Sequence, residues 1–461
     1  MKMKKLFYVS LSCIVFFAAC HKDASITPDN AALLDTLKGN ITEDLTLKEG
    51  AGYIMDGQVF VTNNATLTIP AGVTIYVKKE ADPQKKGSLI VSKGAKLVVD
   101  GTAEAPVLFT SDATEKAPGD WGAIVLVGDA PINTKTYHVL GFEKTPETNC
   151  GGDNATDRSG EIHYLRIEYC GGINAEKEDE WAVDKASGLC LAAVGTGTQL
   201  DHIMVSHSND DAFQFLGGTV NGSYLVAYNN GDDDYDFDHG YTGKLQFIIS
   251  YRTTAMQMAD RANGIESLND ADASTNGPYT HPIISNATII GPKGVENTQT
   301  NLNQGVYIRK NTRFSIINSI ISEYPQGGLM VCNRTRPLLL EKGESLFKYN
   351  LIQSDDPARA FTWDQNGQEV DLAKVIADPE LTTFATNSTN KNQVLTSIDA
   401  LQLTEAYTEQ APPNLSLAEN SPASSGAVFA DTEFSTGFQT VNFRGAVGAD
   451  NWSGATWLAW Q

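Results

Sequence analysis

The chain is poor in positive charge: its 461 residues hold 34 Lys and Arg against 56 Asp and Glu, a formal net charge of −22. Nucleic-acid binding needs clustered basic residues, so that class is excluded. Bare anionic polymers are repelled as well unless cations intervene. No CxxC or HxxxH spacing occurs, which removes a zinc site. The glycine pairs lack the Lys-Ser/Thr of a phosphate loop. The seven histidines are scattered, and no Ser/His/Asp or Cys/His arrangement emerges. No segment has the run of about 20 apolar residues that a membrane helix requires.

What is present begins with an export signal. Met1–Lys5 carries three lysines, Leu6–Ala19 is an apolar run, and Phe17-Ala-Ala-Cys20 sets small residues before a cysteine. The pattern predicts a secretory signal peptide over 1–19. It also resembles a bacterial lipobox, which predicts a lipidated Cys20, a polar tether over 20–40 and attachment to the membrane by lipid alone. The plainer alternative is an ordinary signal peptide with an incidental cysteine. Loss of residues 1–19 takes the charge from −22 to −25. Export permits disulfides, and Cys150, Cys170, Cys190 and Cys332 allow three pairings that spacing alone leaves open. Cys190 lies between Leu189 and Leu191, and Cys332 follows Val331, so both are expected to face outward.

Short strands rich in β-branched residues run from Ile41 to Phe109, punctuated by Gly, Asn, Asp and Pro. Ala65-Thr-Leu-Thr-Ile returns loosely as Ala95-Lys-Leu-Val-Val. Further on, Asp211-Ala-Phe-Gln-Phe is echoed by Asp233-Asp-Tyr-Asp-Phe 22 positions later. Apolar pairs at i and i+2 then recur as Leu189/Leu191, Phe213/Phe215, Tyr235/Phe237, Val306/Ile308 and Leu329/Val331, with a lone Ile265 between. A second column reads Ile203/Val205, Leu225/Ala227, Phe247/Ile249, Thr288/Ile290 and Ile317/Ile320. A sandwich has no reason to repeat near this length, whereas a coil of parallel strands does, because each coil buries its face only on its neighbours. The expectation is a right-handed parallel β-helix over 41–350. Residues 351–461 form an extension, helical in part over Val370–Ala377 and Gln393–Leu403, whose aromatic, Gly-rich end caps the open solenoid. Trp452, Trp457 and Trp460 in that end are read as packing residues rather than as a sugar platform.

Five aspartates fall between Asp232 and Asp238, alternating at the end with Tyr235 and Phe237. In a strand the rings go in and Asp234, Asp236 and Asp238 go out. Adjacent rungs lie about 4.8 Å apart, which sets Asp236 between Gln214 and Glu266, and Asp211 beside Asp233. Asp210, Asp211, Asp232, Asp233 and Asp236 suit a hard cation such as Ca²⁺. A solvated ladder and a catalytic carboxylate pair are the alternatives. Gln214, Asp234, Asp236, Asp238 and His239 are the candidate ligand contacts.

Four stretches carry a resemblance: Gly119-Asp-Trp-Gly-Ala-Ile-Val-Leu, Asn209-Asp-Asp-Ala-Phe-Gln-Phe-Leu-Gly-Gly-Thr-Val, Asp232-Asp-Asp-Tyr-Asp-Phe-Asp and Gly445-Ala-Val-Gly-Ala-Asp-Asn-Trp. Together they resemble a family of Bacteroidota outer-membrane lipoproteins, from about Ile41 to the C-terminus. The resemblance implies a pectin-lyase-like right-handed parallel β-helix and an envelope location, and assigns no reaction. Polygalacturonase-type hydrolases of this fold use an Asp triplet, a Gly-His-Gly and an Arg-Ile-Lys. Here Asn209-Asp-Asp, Asp238-His239-Gly240 and Ile308-Arg309-Lys310 are echoes, but His239 follows Asp233 too closely and the Arg-Lys order is displaced. Lyases of the fold need an Arg or Lys base beside calcium-held carboxylates, a part open to Arg261 and Arg309. Catalytic candidates are therefore Asp211, Asp233, Asp236, Glu266, Arg261 and Arg309. The expected function is a non-catalytic envelope lipoprotein that binds an extracellular polysaccharide or other nutrient, with a TonB-dependent outer-membrane partner. The alternative is a polysaccharide lyase or glycoside hydrolase acting on the same face.

Overall fold

The structure is a computed structural model, and it describes residues 34–82, 85–139, 141–172, 187–253, 262–292, 304–324, 326–354, 356–365, 375–405 and 413–460. Cys20 and Arg261 lie outside the described residues. Among the described residues, no helix is long and apolar enough to cross a membrane, which says nothing of a β-barrel.

The chain winds as a right-handed parallel β-helix, with 27 strands joined in one hydrogen-bonded ladder. Its interior follows from the alternation of apolar and polar residues. Leu189, Phe213, Tyr235, Ile265, Val306, Leu329 and Phe361 stand in successive register and all join the main core. Phe213 stacks on Tyr235 at 5.1 Å between ring centroids, and Phe215 on Phe237 at 5.0 Å. Leu67 pairs with Leu97, as the early repeat predicts. Each coil thus covers the apolar face of the next, and no rung is stable alone.

The second expected column departs from the sequence reading. Phe247 and Ile249 were to sit opposite Leu225 and Ala227, but the register sets Val226 opposite Ile249 and Ala227 opposite Ser250. Ile249 and Ile290 consequently lie in a separate apolar cluster outside the bore, with Trp457 and Leu458. A one-residue slip exchanges the two faces of a strand. Here both faces are apolar, so alternation cannot choose between them.

What covers that outer face is the C-terminal segment, and this corrects the expected end cap. Residues 427–460 run along the side of the solenoid. Val428 and Gly445 bond to Asn318, Gln439 exchanges hydrogen bonds with Gln246 at 2.7 Å, and Thr456 reaches Ala103. The three C-terminal tryptophans are packing residues: Trp457 meets His202 edge-on at 5.5 Å, Trp452 meets Tyr224 at 5.3 Å and Trp460 meets Tyr228 at 5.1 Å. The end of the bore is covered instead by helix Pro379–Thr386, whose Leu381 and Ala385 join the core. Asp378 caps that helix, accepting from Glu380 N and Leu381 N. The helix falls between the two stretches expected to be helical in part: Gln393–Leu403 holds the 3-10 helix Ile398–Leu401 after the strand Gln393–Leu395, while of Val370–Ala377 residues 370–374 lie outside the described residues and Val375–Ala377 is a strand. The solenoid also runs past residue 350, through Leu351–Gln353 and Phe361–Asp364.

A corner of the coil carries a feature absent from the sequence reading. Tyr164, His202, Tyr224, Phe247, Asn286, Asn318 and Tyr349 occupy one register position, and every one has φ between 52° and 59°. Left-handed backbone is uncommon for non-glycine residues. The neighbours stack upon one another to hold it: Tyr164 on His202 at 4.3 Å, His202 on Tyr224 at 4.6 Å, Tyr224 on Phe247 at 5.1 Å.

Candidate functional site

The acidic face is built where the chain turns into the strands Phe213–Leu216, Tyr235–Asp238 and Ile265–Ser267. At that turn each side chain accepts from the backbone of the next coil. Asp211 Oδ1 takes Asp233 N at 3.1 Å, Asp233 Oδ1 takes Asn263 N at 2.6 Å, and Asn263 Oδ1 takes Gln304 N at 3.0 Å. One oxygen of Asp211 and one of Asp233 are thereby committed to structure. Ser187 Oγ donates to the other oxygen of Asp211 at 3.3 Å.

Along the strands, Gln214, Asp236 and Glu266 stand in adjacent register, as predicted. Gln214 Nε2 donates to Asp236 Oδ2 at 3.4 Å, and Arg309 Nη1 donates to Glu266 Oε1 at 3.2 Å. Arg309 also lies over the Tyr307 ring, 5.3 Å from its centroid. Asp236 Oδ1 is buried and has no hydrogen-bond partner. Carboxylate oxygens gather in two groups, each within 4.8 Å: Asp210, Asp211 and Asp232, and Asp233, Asp236 and Glu266. The expected metal set is thus split in two and joined by Glu266.

Asp234 is not part of this face. It precedes the strand, turns inward and is fully buried against Arg252, whose Nε donates to Asp234 Oδ2 at 3.0 Å. Ser250 Oγ and Asn230 Nδ2 complete its shell, and Arg252 Nη1 donates to Asn230 O at 2.7 Å. Alternation assigned Asp234 to the outer row because it treated the turn residue as strand. Arg252 was missed altogether. Its one signal was its alignment beside Asn229, past the paired Tyr228 and Tyr251.

Asp238 and His239 lie at the far end of the same strand, away from the two carboxylate groups. His239 takes φ 50° in register with Ala193 and Gly217, and its ring packs on Tyr137 at 4.1 Å. Gly217 has φ 67°, and a Cβ there would stand 2.4 Å from Ile132, so the covering segment approaches too closely for a side chain. That segment, including Ile132, Val139 and Cys150, also buries the outward-facing Cys190. The outward direction read for Cys190 and Cys332 stands beside full burial. All four described cysteines are free and buried, and burial pushes the thiols of Cys150 and Cys170 up to about 12.

Electrostatics set what the acidic groups can do. Burial first, then the neighbouring carboxylates, hold Asp211, Asp233 and Asp236 well above the usual carboxylate range. Asp238 is pushed up to about 8, chiefly by burial, and burial drives His239 down to about 4. Among the described residues, Arg309 forms an ion pair with Glu266. Six carboxylates gathered in two groups, with an orphaned buried oxygen at Asp236, fit a hard divalent cation by donor chemistry. They fit a glycosidase pair poorly. Asp211, Asp233 and Asp236 each expose 8% of their surface or less, so they do not flank a polymer in this conformation.

The family model for the pectate-lyase-like β-helix domain matches residues 39–407. The chain belongs to that family. Its match covers the winding region and ends short of the strap formed by residues 427–460. No curated protein sequence matches the chain. Among solved structures, this β-helix is similar to the Dettilon tailspike protein (gp208), with 11% identity, 70% of this chain and 60% of that chain covered, and a TM-score of 0.26.

Proposed function

We propose that this pectate-lyase-like β-helix is an outer-membrane lipoprotein, anchored through Cys20, that binds extracellular glycan without cleaving it and holds Ca²⁺ or another hard cation in its acidic ladder. The observation that carries this reading is the buried, unpartnered Asp236 Oδ1, on a residue whose carboxylate gathers with those of Asp233 and Glu266. The cation would be held by Asp233, Asp236 and Glu266, with Asp210, Asp211 and Asp232 beside them. Its charge would stabilise the coil that these residues otherwise strain by repulsion. A TonB-dependent outer-membrane partner would take up what the lipoprotein collects.

A second reading is supported by Arg309, which stands against the carboxylates as the base of a lyase would and whose Nε is unpartnered. The test is product release from a polysaccharide panel by the purified protein, with calcium and with chelator, following unsaturated products and new reducing ends. No turnover, together with a melting temperature that falls under chelator, supports the binder. Turnover abolished by Arg309→Lys or Asp236→Asn establishes the enzyme instead.

A further inference from the structure

A second polar surface lies on a different strand column, where the strands Gln199–Ser206, Gly222–Tyr228 and Lys244–Tyr251 run beneath the turn Gly437–Gln439. Between them is a groove of 440 Å³, within the range of about 300–1,000 Å³ typical of small-ligand sites. Its floor is a row of hydrogen-bonding side chains on successive rungs, with Asp201 opposite Ser223 and Ser223 opposite Gln246. Rungs repeat at about 4.8 Å, so this row spans about 10 Å. Gln199 and Asn221 stand exposed at the rim.

The row is held in place from behind. His163 Nδ1 and His202 Nδ1 bond the two oxygens of Asp201 at 2.7 and 2.6 Å. Gln246 is fixed by its exchange with the backbone of Gln439, and Lys244 Nζ donates to Thr436 O at 2.6 Å. The groove therefore exists because the strap crosses there. Tyr224 and Phe247 border it, but their rings stack within the left-handed ladder, which makes the recognition polar rather than aromatic.

We propose that this groove is an oligosaccharide-binding site for neutral sugar chains, which lie along the solenoid axis and bond their hydroxyls to Asp201, Ser223, Gln199 and Asn221. Hydroxyls are matched by amide and hydroxyl groups that both donate and accept, and by a carboxylate that accepts. A single carboxylate and a single ammonium give the groove no excess positive charge to hold an acidic sugar, and the net charge of −22 repels one. This inference rests on the glycan-binding reading but places the ligand away from the acidic ladder, so it predicts binding that needs no cation.

The experiment is calorimetric titration of the full-length protein with neutral cello-, malto-, manno- and xylo-oligosaccharides and with acidic oligogalacturonides, in calcium and in chelator. Ser223→Trp fills the groove, Gln199→Ala removes an exposed rim contact, and Asp236→Asn alters the ladder. The expected result is binding of at least one neutral oligosaccharide in both buffers, weakened about tenfold or more by Ser223→Trp and measurably by Gln199→Ala, with Asp236→Asn unchanged. Binding untouched by both groove variants but lost in chelator or in Asp236→Asn overturns the groove and leaves the ladder as the glycan site. Binding of acidic oligosaccharides alone overturns the neutral class. Absence of binding to any oligosaccharide overturns the groove and the glycan-binding reading together.

Discussion

Two faces of the same coils obey opposite rules. On the acidic face the outward row reads Gln214, Asp236, Glu266 against inward Phe213, Tyr235 and Ile265. Polarity alone separates inside from outside. On the strap-covered face the outward row includes Val226, Ile249 and Ile290, as apolar as the bore. Identical backbone architecture thus uses charge on one side and a second apolar interface on the other. The first face gathers carboxylates, and the second meets the chain's own C-terminus. The difference shows that an apolar outward row in a solenoid marks a covered surface, not a register error.

The largest effect is expected where the acidic region turns inward. Arg252 and Asp234 are both fully buried, and Arg252 also binds the backbone at Asn230 and Asn263. Arg252→Met leaves an uncompensated buried carboxylate and should cost about 3–5 kcal/mol in urea unfolding. Arg252→Met with Asp234→Asn should recover a large part of that loss. A double variant no more stable than Arg252→Met alone would show that the backbone contacts, and not the ion pair, are what matter.

On the covered face the corresponding break is Trp457→Ala. Trp457 is buried and stacks on Trp452 at 6.3 Å while meeting Tyr164 and His202 edge-on. Removing it should cost about 3 kcal/mol, and the loss should be local. Hydrogen exchange should accelerate in 443–460 and spare the amides of Tyr235–Asp238. Uniform acceleration through both faces would mean that the strap is part of the folding unit and not a layer upon it.

How legible each face was follows from this contrast. The inward column from Leu189 to Leu329 was readable because bulky pairs at i and i+2 were flanked by Asp, Gln and Gly. The neighbour relations of Asp236 with Gln214 and Glu266, and of Asp211 with Asp233, came from the same counting. The column through Phe247 was misread by one place because Phe247 and Ile249 look inward to any rule based on polarity. The left-handed corner was missed because Tyr164, Tyr224 and Phe247 do not announce positive φ, and the enriched types His202, Asn286 and Asn318 were not read as one aligned column. Asp234 was misassigned for a third reason: alternation holds only inside a strand, and the strand begins one residue later, at Tyr235.

A smaller effect sharpens the role of the acidic row. Asp236 is buried beside Glu266, Asp238 and Asp232, and its Oδ2 accepts from Gln214. Without divalent cation, Asp236→Asn should raise stability by about 1 kcal/mol, because a neutral amide replaces a carboxyl that burial and like charge disfavour. In millimolar calcium the order should reverse, since the native ladder gains binding free energy that the variant lacks. Thermal scans across a calcium titration read both arms. Curves for the two proteins that never cross would remove Asp236 from any cation site.

The pH dependence separates the two faces at the smallest scale. Asp238 moves from an ordinary 3.8 to about 8 on folding. Between those values the folded chain keeps a proton that the unfolded chain has lost, so stability falls as pH rises through the window and levels off above about 8. Asp211, Asp233 and Asp236 shift in the same direction. His239 opposes them, moving from 6.5 to about 4, so the unfolded chain binds the extra proton there and stability rises with pH between those values. On this face alone, four carboxyls against one imidazole should contribute a net fall between about pH 5 and 8 in chelator. Bound at the proposed site, calcium would keep the ladder carboxylates ionised in the folded state and flatten the slope. On the covered face, Asp201 is depressed: burial raises it, but His202 and His163 lower it further. Its stabilisation is present above 3.8 and is lost only as pH falls through the lowered value. Burial also lowers His207 and His281 and raises Asp157 and Asp234, so in urea midpoints measured from pH 5 to 9 it is the calcium-dependent part of the slope that reads the acidic face. A slope that calcium leaves unchanged would place the titrating groups outside any ion's reach and return the ladder to a purely structural role.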